Sequence, residues 1–247
     1  MERWKYFAIT HQDHVVCNPL SLAKIDEMIA RFELSPGARV LDIACGKAEL
    51  LIRLAERFEI QGIGVDLSPD CIRDAREKAG NRGVAERLHF VEEDGQQLDV
   101  GPELYDLSMC VGASWVFGGH SQTVAALRDR TRPGGLVLVG EPYWRREPPE
   151  TYLQSQGITR DTYTSHLENV RIGESQGLCL LYTMVSSEDD WDRYEGLRWQ
   201  AAERYAVSHP DDEDGPELLA RGRSIRDAYL TAGRNVLGWS LYLFQRD

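Results

Sequence analysis

The stretch VLDIACGKAELLIRLAE, Val40 to Glu56, constrains the fold more than any other. An apolar run ends in a glycine turn, and Leu50, Leu51, Leu54 and Ala55 then recur at the spacing of one helix face. A strand that feeds straight into a helix is not half of a hairpin. Its successor returns parallel through a right-handed crossover. The pattern then repeats. IGVDLS is a strand ending at Asp66, and Ser68 with Pro69 supplies the cap and first residue of a helix reaching about Arg82. RLHFVEEDG is a third strand, and YDLSMCVGA a fourth, apolar enough to be buried on both faces. Ser121 to Arg130 reads as helix, RPGG as a tight turn and LVLVGE as a fifth strand. This rhythm specifies an α/β fold, a doubly wound parallel sheet covered on both sides.

The flanks are less regular. NPLSLAKIDEMIARFEL, with Leu22, Ile25, Ile29 and Phe32 on one face, is a helix ahead of the first strand. After Glu141 comes a proline- and aromatic-rich segment, followed by a helical stretch in RDTYTSHLENVRIGESQG and a sixth strand, LCLLYTMVSS. Ser187 and Asp190 form a capping-box pattern at the start of a long helix. The acidic loop His209 to Glu217 separates it from a second helix, Glu217 to Ala232, and NVLGWSLYLFQRD closes the chain as a strand.

Charge and cysteine usage exclude several function classes. The 247-residue chain carries a net charge of −12, whereas a protein that tracks nucleic-acid phosphates needs a basic face. RGRSIR, Arg221 to Arg226, has helical spacing and reads as a solvated helix face. Nucleic acid and anionic membrane are therefore not the expected partners. The five cysteines, an odd number without CxxC spacing, suit neither zinc nor a disulfide framework, and no metal is expected. No stretch approaches the about 20 apolar residues of a membrane span, and the N-terminus has no apolar signal core. The expected location is cytoplasmic.

In open sheets of this kind, ligands bind at the carboxyl ends of the strands. Those ends carry Asp42, Ala44, Cys45 and Gly46; then Asp66 and Leu67; then Asp94 and Gly95; then Cys110, Val111 and Gly112. Gly46 lets backbone approach a ligand, amides opening the next helix can meet a carboxylate, and a carboxylate closing the second strand can accept from a ribose diol. Asp66 follows Asp42 by 24 residues and Asp94 follows Asp66 by 28, one strand–helix–strand step each. That register points to a nucleoside across the strand ends. ACGKAE lacks the G-x-G-x-x-G of a dinucleotide site, which argues against a nicotinamide oxidoreductase, and no Walker-type loop occurs.

With these residues in view, the chain resembles the class I S-adenosylmethionine-dependent methyltransferases. VLDIACGKAELLIRLA is similar to their first motif, GVDLSPDCI to the ribose-binding motif, VEEDGQQL to the adenine motif, and LRDRTRPGGLVLVGE to the region entering the fifth strand. The likeness covers about residues 37 to 141, with Ala44 and Ala48 replacing two usual glycines. ITHQDHVVCNP, VGASWVFGG, GEPYWR and WDRYE extend it to a bacterial subgroup of small-molecule methyltransferases.

The resemblance implies a Rossmann-like seven-stranded sheet of order 3-2-1-4-5-7-6, the last strand antiparallel, with helical insertions forming a lid. Residues 1–247 would make one domain: an N-terminal lid segment (1–36), a cofactor core (37–141) and substrate-side insertions (142–178 and 187–235). It implies S-adenosylmethionine as cofactor, S-adenosylhomocysteine as product, and roles for the strand-end residues: Asp42, Ala44, Cys45 and Gly46 beside the amino acid and ribose, Asp66 on the ribose, Leu67 on adenine, Asp94 and Gly95 at the adenine amine, and Cys110, Val111 and Gly112 beneath the methionine chain. Trp115, Tyr143, Trp144 and Trp191 are candidates for the acceptor wall, and Glu141, His14 and His120 for a general base. The alternative for Glu141 is a structural pair with a nearby arginine such as Arg145. The expected acceptor is a small molecule, apolar, aromatic or amine-bearing. Protein or RNA methylation and a non-catalytic cofactor-binding protein are the alternatives.

Overall fold

The computed structural model describes residues 1–98 and 104–247. Five strands run parallel: β1 (Arg39–Ile43), β2 (Gln61–Asp66), β3 (Leu88–Glu92), β4 (Tyr105–Val111) and β5 (Thr131–Trp144). The chain then adds β6 (Leu178–Val185) and β7 (Leu237–Arg246), and β7 inserts antiparallel between β5 and β6. The order is 3-2-1-4-5-7-6, the order that the resemblance implies.

Helices cover both faces. On one side α2 (Leu22–Ile29), α3 (Glu49–Arg57) and α4 (Pro69–Asn81) pack Met28, Leu54 and Ala75 onto Val40, Leu107 and Leu138. On the other, α5 (His120–Arg130) and α7 (His166–Glu174) cover Val137, Val139, Tyr242 and Phe244, with Val124, Leu127 and Val170 as their inner residues. Ser68 caps α4 by accepting from the Cys71 N–H at 3.3 Å, with Pro69 opening the helix.

Three elements at the strand ends form a roof. They are α1 (Arg3–Thr10), α8 (Glu188–Ser208) and α9 (Gly215–Ala228), the first of which the sequence pattern does not predict. Tyr6 and Ile9 of α1 pack on Ala202 and Leu218. The capping box at Ser187 and Asp190 opens α8. The acidic loop before α9 has a structural use: Asp212 and Asp214 hold Lys5 at 2.9 and 2.7 Å.

The fold departs from expectation in a few places. RPGG is a bulge inside β5, because Tyr105 pairs with Thr131 and Leu107 with Leu136 on either side of it. The strand does not stop at Glu141 but runs to Trp144, since β7 pairs with it as far as Leu237. The helix expected from Arg160 starts at His166, after a short 3₁₀ turn. The last helix ends at Ala228, and Tyr229–Gly233 is a π-helical turn.

The turn after β1 is strained where alanine replaces glycine. Ala44 and Ala48 have φ of 56° and 54°, in the left-handed region. That conformation costs an L-residue with a side chain roughly 1–2 kcal/mol. Ala44→Gly relieves it and is expected to raise stability by about 0.5–1 kcal/mol after the larger chain entropy of glycine is subtracted. A lowered urea midpoint would show that the packing of the Ala44 methyl outweighs the strain.

Candidate functional site

One carboxylate organises two strand ends. Asp66 closes β2 and accepts from the Gly46 N–H through Oδ2 and from the Ser68 N–H through Oδ1, both at 2.8 Å. The turns after β1 and β2 are thereby fixed to each other. The Cys45 N–H adds a 2.9 Å bond to the Val65 carbonyl. Gly46, at φ 54°, presents bare backbone there, and no side chain caps the first turn of α3. Burial raises the pKa of Asp66, and the two N–H donors oppose the rise.

Asp42, at the end of β1, lacks that compensation. It is buried, no described residue hydrogen-bonds its carboxylate, and desolvation followed by the Asp66 charge pushes its pKa up to about 8. At the end of β4, Gly112 has φ 79°, and a Cβ there would stand 1.9 Å from Asn18 Oδ1. Asn18 in turn donates to the Val111 carbonyl at 3.2 Å, so the segment after α1 lies directly over the strand end.

These ends open into a cavity of about 380 Å³. Asp42, Ala44, Cys45, Gly46, Asp66 and Leu67 line it, together with Gly95, Val111 and Gly112. Cys110 is fully buried within β4 and does not reach it. Neither does Asp94, whose Oδ1 accepts from the Gln96 N–H at 3.0 Å, while the neighbouring Glu93 lines the wall. Trp115 stands at the cavity, half exposed.

The other acceptor-side candidates lie elsewhere. Tyr143 belongs to β5, where it faces Gly238 and packs on His166 at 4.8 Å. Trp144 is wedged edge-on against Tyr152 and Tyr163, and its indole N–H donates to the Arg160 carbonyl at 2.8 Å. Trp191 joins the core beside Tyr194 and Tyr229. These rings pin the insertion to the sheet.

The base candidates are also off the cavity wall. His120 sits between α5 and α7, its Nε2 3.1 Å from the Asn169 carbonyl, and burial lowers its pKa. His14 places Nε2 2.9 Å from the Tyr194 carbonyl, and its pKa too is lowered by burial. Glu141 accepts from Ser114 Oγ at 3.0 Å and leaves Oε2 buried without a partner. Desolvation lifts its pKa to about 7. Arg145 does not pair with it, lying instead 3.6 Å from Glu188.

Groups that the sequence reading does not name stand in their place. His11 lines the cavity, stacked on Phe7 at 4.1 Å, with Nε2 3.0 Å from Tyr194 Oη. Burial and the Arg198 charge hold its pKa well below the usual range, so the ring is neutral. Arg198 follows Tyr194 by one helical turn, the one sequence signal that could have found it. Arg3 and Arg221 also line the wall, although Arg221 lies in the stretch expected to be a solvated face. Among the described residues no group of His, Cys, Asp or Glu side chains is arranged to hold a metal, and no helix is long and apolar enough to cross a membrane.

The strand order, the paired turns after β1 and β2 and the enclosed cavity above them define a class I S-adenosylmethionine-dependent methyltransferase. The chain belongs to this family: residues 40–135 match the family described as Methyltransferase domain. It is 31% identical over 240 residues to YjhP of Escherichia coli (strain K12), covering 96% of each chain. A Geobacter sulfurreducens methyltransferase solved in complex with S-adenosyl-L-homocysteine superposes with a TM-score of 0.92 at 32% identity, over 98% of both chains. The 27-O-demethylrifamycin SV methyltransferase of Amycolatopsis mediterranei (strain S699) is more distant, 24% identical over 71% of this chain and 69% of its own. The cofactor is S-adenosylmethionine. The residues present suit it, because a partnerless buried carboxylate beside the cavity calls for a cationic ligand group.

Asp42 gives a pH signature without cofactor. Its folded pKa of about 8 lies above the unfolded value of about 3.9, so the folded state binds the extra proton between them. Its contribution to stability is full below about pH 4 and is lost as pH rises to about 8. Urea midpoints of wild type should therefore fall relative to Asp42→Asn across that window and level off above it. A flat difference would mean that the carboxylate is ionised in the empty fold.

Proposed function

We propose that this methyltransferase transfers the methyl group to a small molecule bound in the chamber between the strand ends and the α1–α8–α9 roof. The observation that carries the proposal is the roof over the strand ends. A cavity of about 380 Å³, partly roofed by Phe7, His11 and Tyr194, suits a small acceptor set beside the cofactor better than a polymer. The rifamycin methyltransferase, acting by its name on a small molecule, is consistent with this reading.

When bound, S-adenosylmethionine supplies an activated methyl on a sulfonium, so that the protein's work is binding, alignment and exclusion of water. Asp66 has acceptor capacity beyond its two backbone donors and takes the ribose hydroxyls. Leu67 packs on the adenine, and Gly95 leaves room at its edge. Asp42 meets the ammonium of the amino-acid part, and the uncapped start of α3 meets its carboxylate. Val111 and Gly112 give the methionine chain a floor without a side chain in its path. Trp115 forms part of the acceptor wall. Tyr194, oriented by neutral His11, is placed to hold a hydroxyl of the acceptor. Glu141, held by Ser114 behind the strand end, orients that loop.

Two measurements test this. With methyl-labelled cofactor and a whole-cell extract, label should accumulate in the fraction passing an ultrafiltration membrane. Label confined to acid-precipitable protein or RNA overturns the small-molecule reading. Asp66→Ala should weaken S-adenosylhomocysteine binding at least tenfold by calorimetry. It should also cost about 1–3 kcal/mol of stability, because two backbone donors lose their acceptor. Unchanged affinity would remove Asp66 from the ribose.

A further inference from the structure

The cavity is charged oppositely at its two sides. Asp66 and Glu93 belong to the sheet side, with Asp42 protonated beside them until a cation arrives, whereas Arg3 of α1, Arg198 of α8 and Arg221 of α9 belong to the roof. The fourth lining carboxylate, Glu49, is neutralised by Arg53, Lys78 and Arg82 at 2.7, 3.1 and 2.8 Å.

The roof cations have no such satisfaction. Among the described residues no carboxylate pairs with Arg3 or Arg221. The Arg3 guanidinium lies over the Trp4 and Trp115 rings at 5.1 and 4.6 Å, and that of Arg221 over Tyr6 at 3.9 Å. Arg198 pairs through Nη1 with Glu195 at 2.8 Å, but its Nε is buried without a partner. Three guanidinium groups from three helices therefore line one chamber, in a chain whose net charge is −12, and share a single carboxylate among the described residues. Elsewhere Arg223 pairs with Glu203 and Arg234 with Asp192.

We infer that the methyl acceptor is an anion: a small molecule with an apolar or aromatic body and a carboxylate, whose acidic group is held by Arg198 and Arg221, with Arg3 beside them. The inference rests on the chamber being the acceptor site. The guanidinium fork matches a carboxylate with two parallel hydrogen bonds. Trp4, Tyr6 and Phe7 supply the apolar wall for the rest of the molecule. The polarity of the chamber also sorts its two ligands. The cationic cofactor is drawn to the aspartates and the anionic acceptor to the arginines, and an amine-bearing competitor would face three like charges.

Calorimetry with an isosteric probe pair, 2-naphthoate and 2-naphthamide, tests this on protein saturated with S-adenosylhomocysteine. The acid should bind at least tenfold more tightly than the amide. Arg221→Gln, at an exposed position, and Arg198→Gln should each cut that preference severalfold, with S-adenosylhomocysteine affinity measured alongside as a control for folding. Equal binding of acid and amide, binding of neither, or a preference that survives both substitutions overturns the inference. Failure of S-adenosylhomocysteine itself to bind would instead strike at the cofactor site beneath it and take this inference with it.

Discussion

The hydrogen bond from the Gly46 N–H to Asp66 is the contact on which the site depends. Parallel pairing of β1 with β2 brings the two strand ends level, but level ends do not by themselves make a binding surface. Asp66 makes one by spending an oxygen on each turn, at Gly46 and at Ser68. Charge-assisted bonds of this kind are worth more than neutral ones, about 1.5–3 kcal/mol each. They oppose the rise in pKa that burial imposes on the carboxylate while leaving lone pairs over the cavity. Asp42, one strand over, shows what burial does without such donors: its proton is retained to about pH 8. The two aspartates look alike in sequence, but only at Asp66 do two backbone N–H groups oppose the rise that burial imposes.

The sheet and its ligand edge were legible because both follow from short-range pattern. Strand, glycine turn and helix are adjacent in the chain, so periodicity places Asp42, Gly46, Asp66 and Gly112 at strand ends before any tertiary contact is known. The roof obeys no such rule. The α1 sequence, RWKYFAIT, is apolar nearly all round, so its pattern does not say which face looks inward, and His11 rather than His14 reaches the cavity. Arg221 carries the signature of a wet helix surface, and only the arrival of Tyr6 from the far end of the chain makes it a wall residue. Tyr143 and Trp144 follow an expected strand end, but pairing with β7 extends β5 and turns them into framework.

That framework explains where the aromatic rings went. Trp144 with Tyr152 and Tyr163, Tyr143 with His166, and Trp191 with Tyr229 fasten the inserted segments to the sheet. Edge-on and tilted ring contacts add about 0.5–1.5 kcal/mol each beyond their buried area. Fewer rings are left for the chamber itself, and there they stand beside cations. The chamber wall therefore combines cations with apolar surface, while the sheet below it stays that of a general cofactor binder.

Lys47 occupies the turn between β1 and α3, yet its ammonium reaches the His11 and Gln12 carbonyls at 3.0 and 3.1 Å. Its own carbonyl accepts from Lys78 of α4 at 3.2 Å. One residue thus belongs to the floor by its backbone and to the ceiling by its side chain. A ligand that orders the floor also tightens the ceiling through this tether, and by thermodynamic reciprocity whatever fastens the ceiling steadies the floor to the same degree. Floor and ceiling are thus stitched together by a flexible side chain, alongside the Asn18 bond to the end of β4.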